Sequence, residues 1–384
     1  MRIVVKREAL QEALGKVQTA IPAKHTLPIL NSVLLTAKRG QLQLVGSDLE
    51  TAVIATCPAT ITRAGGIAVP PGPLAALLKQ TCADTLTLVA KTVVKKWVGK
   101  EYRYNQESHA SEEIEVERSS STTSLSIEVG TASLTLTGTD PQDFPHVPEL
   151  KGKPITIVGL DKALKEVSYA VAKEESRPVL AGICLTPAGG KIEVAAADGF
   201  RLAIASARCR GSLPEQTILP ARAAKLVGKL LPGDVRMFVW GKERDKAVGF
   251  QQKGDTTIIT RPIEGTYPSY DALVPKGGKS CLLNRDELKS ALNTVMAIKP
   301  TNDLIRLQSK GKVVIVSGEN DEVSSEVKVG AKGVIKAGFN SKYLKDLLTV
   351  APDQMVIRMA KGDSPAVLRN NGSTHVLMPM SVKW

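Results

Sequence analysis

Three clusters in this chain have residue types able to support catalysis or ligand binding, and each fails on spacing. Gly278-Lys279-Ser280 matches the end of a phosphate-binding loop, in which backbone amides and a lysine cradle phosphates. That loop also requires a glycine five residues before its second glycine, with a helix following. Position 273 is Leu and the next residues, Cys281-Leu282-Leu283, are strand-like, so the segment reads as linker. His109-Ala110-Ser111-Glu112-Glu113 sets an imidazole beside carboxylates, but no second histidine lies near it and it reads as surface loop. Asp48 and Asp198-Gly199 offer carboxylates for proton transfer, yet they recur at one turn of a repeated pattern, where Asp and Gly suit the backbone. With four histidines in the chain, no Ser-His-Asp or Cys-His constellation can be assembled. Five cysteines (Cys57, Cys82, Cys184, Cys209, Cys281) are odd in number and form no CxxC pair, which argues against a disulfide framework and a structural zinc site. No catalytic residue, metal or cofactor is expected.

What remains is positive charge. Lys and Arg number 51 against 38 Asp and Glu, a formal net charge of +13. Such a balance favours polyanions through long-range attraction and counterion release. Aromatic residues are only 4% of the chain, which disfavours single-strand binding by base stacking and points to a duplex held through its phosphates. The cations sit on helix-patterned segments and nearby turns. They are Arg7, Lys16, Lys24 and Lys79, then Lys162, Lys165, Lys173, Arg177, Arg222, Lys225 and Lys229, then Arg285, Lys289, Lys299, Lys342 and Lys345. Segments 71–80 and 221–231 contain no acid. One such face alone is an ordinary solvated helix. Repeated on equivalent faces, the cations make a continuous basic surface that contacts phosphates without reading bases. No zinc finger and no basic region with heptads is present.

The elements that must position these cations occur three times. Apolar residues at i, i+3, i+4, i+7 mark a helix at Leu10, Ala13, Leu14, Val17, at Leu164, Val167, Ser168, Val171 and at Leu288, Ala291, Leu292, Val295, with offsets of 154 and 124. A second helix follows at Leu74, Leu77, Leu78, at Ala223, Leu226, Val227 and at Leu344, Leu347, Leu348, with offsets of 149 and 121. Between the helices lies a strand and turn ending at Asp48, Asp198 and Asn320, offset by 150 and 122. Each unit reads strand, helix, strands, helix, strands, and the strands alternate in the half-buried manner, as in Gln41-Leu42-Gln43-Leu44-Val45. Phe144-Pro145 and Tyr267-Pro268 end the first two units only 123 apart, so the first unit carries an insert near 91–122. An extended surface hairpin and a mobile loop both fit that insert. Linkers rich in Pro, Gly and Lys place the boundaries at 1–149, 150–278 and 279–384. The N-terminal Met1 to Lys6 reads as a strand rather than a signal peptide, and no apolar run reaches membrane-spanning length, so a cytoplasmic protein with no membrane partner is expected.

Over essentially its full length the chain resembles the beta subunit of bacterial DNA polymerase III, the sliding clamp family. The resemblance rests on Thr26-Leu27-Pro28-Ile29-Leu30-Asn31, Ser47-Asp48-Leu49-Glu50, Ala197-Asp198-Gly199-Phe200-Arg201-Leu202-Ala203, Tyr267-Pro268-Ser269-Tyr270 and Val376-Leu377-Met378-Pro379-Met380, in that order. It implies an α+β fold of three clamp domains per chain and a head-to-tail homodimer closed into a ring. Helices would line the central hole and antiparallel sheets would form the outer wall. It further implies a non-catalytic processivity factor for duplex DNA, with the polymerase III catalytic subunit, an ATP-driven clamp loader, and other polymerases and repair proteins as partners. A repeat-built, sequence-independent DNA-binding scaffold that does not close into a ring would carry the same charge pattern.

Carried over by motif, the partner-peptide cleft comprises Leu180, Gly199, Phe200, Arg201, Leu202, Pro268, Leu273, Val376, Met378, Pro379 and Met380. Without the resemblance, Met378 and Met380 would read as core. The DNA-facing set is Lys24, Lys79, Lys165, Arg177, Arg222, Lys225, Lys289, Lys342 and Lys345, and the dimer seam would bring Leu134 and Leu136 against Met296. The chain departs from the family at Phe200, where His is usual, at Ala272, where a basic residue is common, and at Pro178-Val179, which replaces an aromatic pair. Its tail extends to Lys383-Trp384, and its net positive charge contrasts with the acidic character of many members.

Overall fold

The structure, a computed structural model, describes residues 1–22, 26–105, 110–130, 132–173, 177–252, 255–382 and 384, with side chains described outside 94–97, 99–105, 110–121 and 244. The chain divides into two compact units, Met1–Leu150 with Gln252–Ile259, and Lys151–Gln251 with Thr260–Trp384.

In the first unit the order is β1 (Arg2–Lys6), α1 (Arg7–Gln18), β2 (Val33–Lys38), β3 (Gln41–Ser47), β4 (Thr51–Arg63), β5 (Gly65–Val69), α2 (Pro71–Gln80), β6 (Thr85–Asn105), β7 (Ala110–Val129) and β8 (Ala132–Gly138). The second unit runs through a similar order twice. Its first copy is β9 (Ile155–Val158), α3 (Leu160–Val167), β10 (Gly182–Ala188), β11 (Lys191–Ala197), β12 (Arg201–Arg210), β13 (Thr217–Pro220), α4 (Ala221–Leu230), β14 (Asp234–Trp240) and β15 (Ala247–Gln251); β16 (Thr256–Thr260), next in the chain, falls in the first unit but for Thr260. Its second copy is β17 (Lys279–Asn284), α5 (Arg285–Met296), β18 (Leu304–Lys310), β19 (Val313–Glu319), β20 (Ser324–Gly333), β21 (Lys336–Asn340), α6 (Ser341–Leu347), β22 (Gln354–Met359), β23 (Ala366–Asn370) and β24 (Ser373–Leu377).

The pairings repeat as faithfully as the order. β1 lies antiparallel between β4 and β6, as β9 does between β12 and β14 and β17 between β20 and β22. β2 lies between β3 and β5, β10 between β11 and β13, and β18 between β19 and β21. In each copy the two helices pack on one another and the first of them lies on the sheet. Within the second unit, β12 also pairs with β24, matching Leu202 to Val376 and Ala203 to His375.

The helix faces explain the packing. Buried side chains are Leu10, Ala13, Leu14 and Val17 on α1, Leu160, Ala163, Leu164 and Val167 on α3, and Leu288, Ala291, Leu292 and Val295 on α5. All three therefore carry one pattern, Leu-x-x-Ala-Leu-x-x-Val, offset by 150 and 128. This corrects the sequence expectation for the second copy by one turn. Ser168 is the exposed residue that ends α3, its hydroxyl donating back to the Leu164 carbonyl, and Val171 lies beyond the helix. Helix starts follow local chemistry. Pro71 opens α2, where its missing N–H costs nothing. Asn284 caps α5 by accepting from the Asp286 and Glu287 amides at 3.0 Å each.

The insert is an extended hairpin. β6 and β7 hold continuous antiparallel register from Thr87↔Glu128 to Asn105↔Ala110. Their 21 and 20 residues compare with 7 and 5 in β14 and β15. His109 lies outside the described residues. Lys279-Ser280 opens β17, so the phosphate-loop-like triplet leads into a strand. No helix among the described residues is long and apolar enough to cross a membrane.

Candidate functional site

The site grows out of the repeated turn. Asp48 Oδ1 accepts from the Glu50 and Thr51 amides at 3.1 and 2.7 Å. Asp198 Oδ1 accepts from Phe200 and Arg201 at 2.9 and 3.0 Å. Asn320 Oδ1 accepts from Glu322 and Val323 at 3.0 and 2.8 Å. The side chain of each turn residue thus satisfies two backbone donors, which is a structural task rather than a catalytic one.

The third copy adds one bond to this turn, from Asn320 Nδ2 to the Ile298 carbonyl at 2.6 Å, whereas the second builds an ion-pair network on it. Asp198 Oδ2 lies 2.8 Å from Arg201 Nε, and Arg201 Nη1 lies 2.7 Å from Asp346 Oδ2 on α6. The Arg201 side chain is only 2% exposed. A buried guanidinium holds its place when it is paired and hydrogen-bonded, and here two carboxylates do so. Its carbon also stands 4.6 Å from the Tyr343 ring centroid and 5.4 Å from that of Tyr169, a doubled cation–π arrangement. Tyr343 in turn stacks on Phe200 with centroids 6.0 Å apart. Gly199, with φ of 93°, lets the chain turn sharply before the exposed Phe200.

Asp198, Gly199, Phe200, Arg201, Tyr343 and Asp346 line a cavity of about 690 Å³ together with Ala172, Lys173, Arg177, Leu180 and Lys342. Apolar side chains continue along its margin. Phe200 is 59% exposed and Met378 41%, and the Met378 amide donates to the Phe200 carbonyl at 2.8 Å. Met378 is therefore a surface residue, while Pro379 and Met380 are half-buried. Leu202, Val376 and Leu180 form part of the packed floor with Tyr267 and Tyr270. Pro268 and Leu273 are exposed beside that floor, and the Leu273 amide bonds the Tyr270 carbonyl. Trp384 stacks over the Lys336 ammonium at 4.7 Å.

Beneath Arg201 lies a polar network absent from the sequence expectations. The Tyr169 hydroxyl is 3.1 Å from His375 Nδ1. His375 Nε2 is 2.9 Å from Ser373 Oγ and 3.4 Å from Glu166 Oε2. Burial pushes the Tyr169 phenol up, so it stays protonated and can donate to Nδ1. Burial lowers His375 to about 4, so its ring is neutral near pH 7 with the remaining proton toward Ser373 and Glu166.

Of the cations expected at DNA, Lys79 on α2, Lys165 on α3, Arg222 and Lys225 on α4, Lys289 on α5 and Lys345 on α6 are exposed on their helices. Lys24 lies outside the described residues. Arg177 and Lys342 line the cavity with Phe200, and Lys342 Nζ pairs with Asp303 Oδ2 at 2.8 Å. Leu136 is buried against its own chain, whereas Leu134 and Met296 are half-buried. Tyr169, Tyr343, Asp346 and His375 were missed because nothing in their spacing links them to Arg201; strand register and the α6 start bring them there.

Comparison with known proteins accounts for the repeat. The family model for the N-terminal domain of the DNA polymerase III beta subunit matches residues 1–148, and that for its central domain matches 155–269. The beta sliding clamp of Pseudomonas aeruginosa is 28% identical over 399 residues, covering 99% of this chain and all of that protein. The beta sliding clamp of Synechocystis sp. is 24% identical over 410 residues, covering 99% of each. Among solved structures, the DNA polymerase III subunit beta of Pseudomonas aeruginosa superposes with a TM-score of 0.80 at 26% identity, covering 99% of this chain and 100% of that one. The sliding clamp of Bartonella birtlesii, solved bound to griselimycin, superposes at 0.83 with 24% identity over 100% of both chains. With both domain models matched in order and relatives aligned end to end, the chain belongs to the DNA polymerase III beta subunit family, the bacterial DNA sliding clamps.

Proposed function

We propose that this chain works as a DNA sliding clamp, a head-to-tail homodimer closed into a ring around duplex DNA with its helices inward and its sheets outward. Each protomer would contribute three domains, 1–149, 150–278 and 279–384. The observation that carries this reading is the recurrence, three times over, of one fold whose two packed helices bear lysine and arginine side chains, with exposed ones on α2 to α6 and half-buried ones, Arg7 and Lys16, on α1. Phosphate contacts of this kind hold a duplex without regard to sequence and are loose enough to slide. A heterologous contact that closes leaves no free ends, so retention follows from topology rather than from tight binding. The Leu134–Leu136 segment and Met296 would meet at the seam.

The clamp's own task is then non-catalytic and performed in the cytoplasm. The polymerase III catalytic subunit would supply the chemistry, a loader would open the ring, and other polymerases and repair proteins would share the same docking site. That site is the cleft formed by Leu180, Gly199, Phe200, Arg201, Leu202, Pro268, Leu273, Val376, Met378, Pro379 and Met380. Exposed Phe200 and Met378 above a packed apolar floor support it, since adaptable methionine surfaces accept several partners. Griselimycin, bound by clamp relatives, is the natural probe for it.

Light scattering and DNA retention test the ring together. The expected mass is twice 40.9 kDa, and the loaded protein should stay on closed circular DNA and run off linear DNA. A monomer retained equally on both would overturn the ring and leave an open DNA-binding scaffold. In the cleft, Met378→Ala and Met380→Ala should weaken griselimycin binding while the mass stays dimeric; unchanged affinity would remove the site assignment.

A further inference from the structure

Arg201 touches both the cleft turn and α6, yet its own carboxylate partners lie on only part of its surroundings. Asp198 and Asp346 take its Nε and Nη1 at 2.8 and 2.7 Å. Toward the interior it meets the Tyr169 ring. Tyr169 is held from behind, because its hydroxyl bonds His375 Nδ1 at 3.1 Å and the two rings sit 5.8 Å apart, tilted by 37°. His375 is fully buried on β24 and is anchored through Nε2 to Ser373 at 2.9 Å. Ser373 Oγ lies 3.1 Å from Glu166 Oε2 on α3. None of Glu166, Tyr169, Ser373 or His375 lines the cavity.

We propose that Tyr169, braced by His375, is a positioning residue for the cleft: it fixes the Arg201 guanidinium from the interior side and so sets where Tyr343 and Phe200 stand at the cleft surface. The physical argument is one of preorganisation. A guanidinium that must find its place during binding loses affinity to ordering, whereas one locked beforehand does not. Two carboxylates fix its nitrogens, but the plane of the group is set by the aromatic faces against it. A satisfied buried network of this kind rigidifies what it touches. The relay reaches the surface through Tyr343, whose ring stacks on Phe200 at 6.0 Å.

This inference rests on the cleft reading, and griselimycin is the probe. Tyr169→Phe keeps the ring and loses only the bond to His375, so its dissociation constant should rise by about threefold, and His375→Phe, which also loses the bond to Ser373, should raise it at least as much. The double variant should be no weaker than His375→Phe alone, since that change already removes the bond to Tyr169. Tyr169→Leu removes the ring from Arg201 and should weaken binding by about tenfold. Combined with Arg201→Lys, its effect should be strongly less than additive, because it acts through Arg201. Thermal melting of each variant separates this role from a purely structural one, which would lower the melting temperature and leave the affinity of the folded protein unchanged. Unchanged affinity in folded Tyr169→Leu, or full additivity with Arg201→Lys, overturns the proposal; if Tyr169→Leu does not fold, additivity between Tyr169→Phe and His375→Phe overturns it equally. Absence of griselimycin binding by the unaltered protein, or no effect of Met378→Ala, overturns the cleft reading and this proposal with it.

Discussion

Arg201 Nη1 stands 2.7 Å from Asp346 Oδ2, and this contact ties the turn after β11 to the last turn of α6. The arginine is almost wholly buried while the aspartate is 40% exposed. Removing the acid strands part of a buried cation, although Asp198 still pairs with Nε. Asp346→Ala should therefore cost about 1–2 kcal/mol of stability, the range for a charged hydrogen bond discounted for exposure. The pair Arg285–Asp353 has nearly the same length, 2.8 Å, but its arginine is 30% exposed and its acid 81%. Asp353→Ala should cost less than about 0.5 kcal/mol. Urea midpoints at constant slope measure both, and equal losses would mean that burial of Arg201 does not matter.

The three turn residues offer an internal control. Asp48→Ala and Asn320→Ala each remove an acceptor from two backbone amides, and Asn320→Ala also removes the Nδ2 donor to the Ile298 carbonyl at 2.6 Å. Asp48→Ala should cost about 1 kcal/mol, with the amides rescued in part by water, and Asn320→Ala about 1–2 kcal/mol because of the bond to Ile298. Asp198→Ala removes the same two bonds and also the carboxylate on Arg201 Nε. Its cost should be roughly 2–3 kcal/mol, with griselimycin affinity falling at the same time. Denaturation of the three variants side by side checks the ranking. Indistinguishable losses would show that Arg201 takes nothing from Asp198.

Periodicity made the repeat legible, because Leu-x-x-Ala-Leu-x-x-Val buries one face of a helix wherever it occurs. It misplaced α3 by one turn for a physical reason. Leu164 and Val167 belong to the apolar stripe in either register, and Val171 prolongs the spacing past the point where Ser168 ends the helix. Hydropathy alone also left Met378 as core, whereas its place after β24 turns it outward. The Phe200 and Met378 cleft was reachable through the family resemblance. The network behind it was not, since only the β12–β24 register, pairing Ala203 with His375, carries a residue near the C-terminus to Tyr169. The insert was legible as extra length, but its form as a hairpin depends on cross-strand pairing that no local pattern specifies.

His375 gives the fold a defined acid sensitivity. Its value in the unfolded chain is about 6.5, and burial lowers it to about 4 in the folded protein. The folded state thus resists the proton that the unfolded state takes up. The stability involved is present above about pH 6.5 and is lost as pH falls toward 4. The total is at most about 3 kcal/mol, with a slope approaching about 1.4 kcal/mol per pH unit in that window. Glu166, close to Nε2, partly offsets the loss by receiving the charged ring. Melting temperatures of the unaltered protein and His375→Phe should converge as pH drops from 7 to 5. Parallel curves would show that His375 does not titrate in the fold.

Salt dependence separates the cations that meet phosphate from those that serve the cleft. Lys165, Lys225 and Lys289 are exposed on α3, α4 and α5. Each neutralised phosphate contributes about 0.9 to the slope of log affinity against log salt on a duplex. Replacing any one of these lysines by Gln should flatten the slope by up to about 0.9, and the triple variant by up to about 2.7. Lys342 behaves differently on its geometry. Its ammonium is paired with Asp303 at 2.8 Å and lines the cavity with Phe200 and Tyr343. Lys342→Gln should leave the DNA slope unchanged and alter griselimycin affinity instead. Anisotropy of a labelled short duplex across a salt series, run beside a griselimycin titration, distinguishes them. A slope that responds to Lys342 and not to the other three would move the phosphate-contacting surface off the helix faces and toward the cleft.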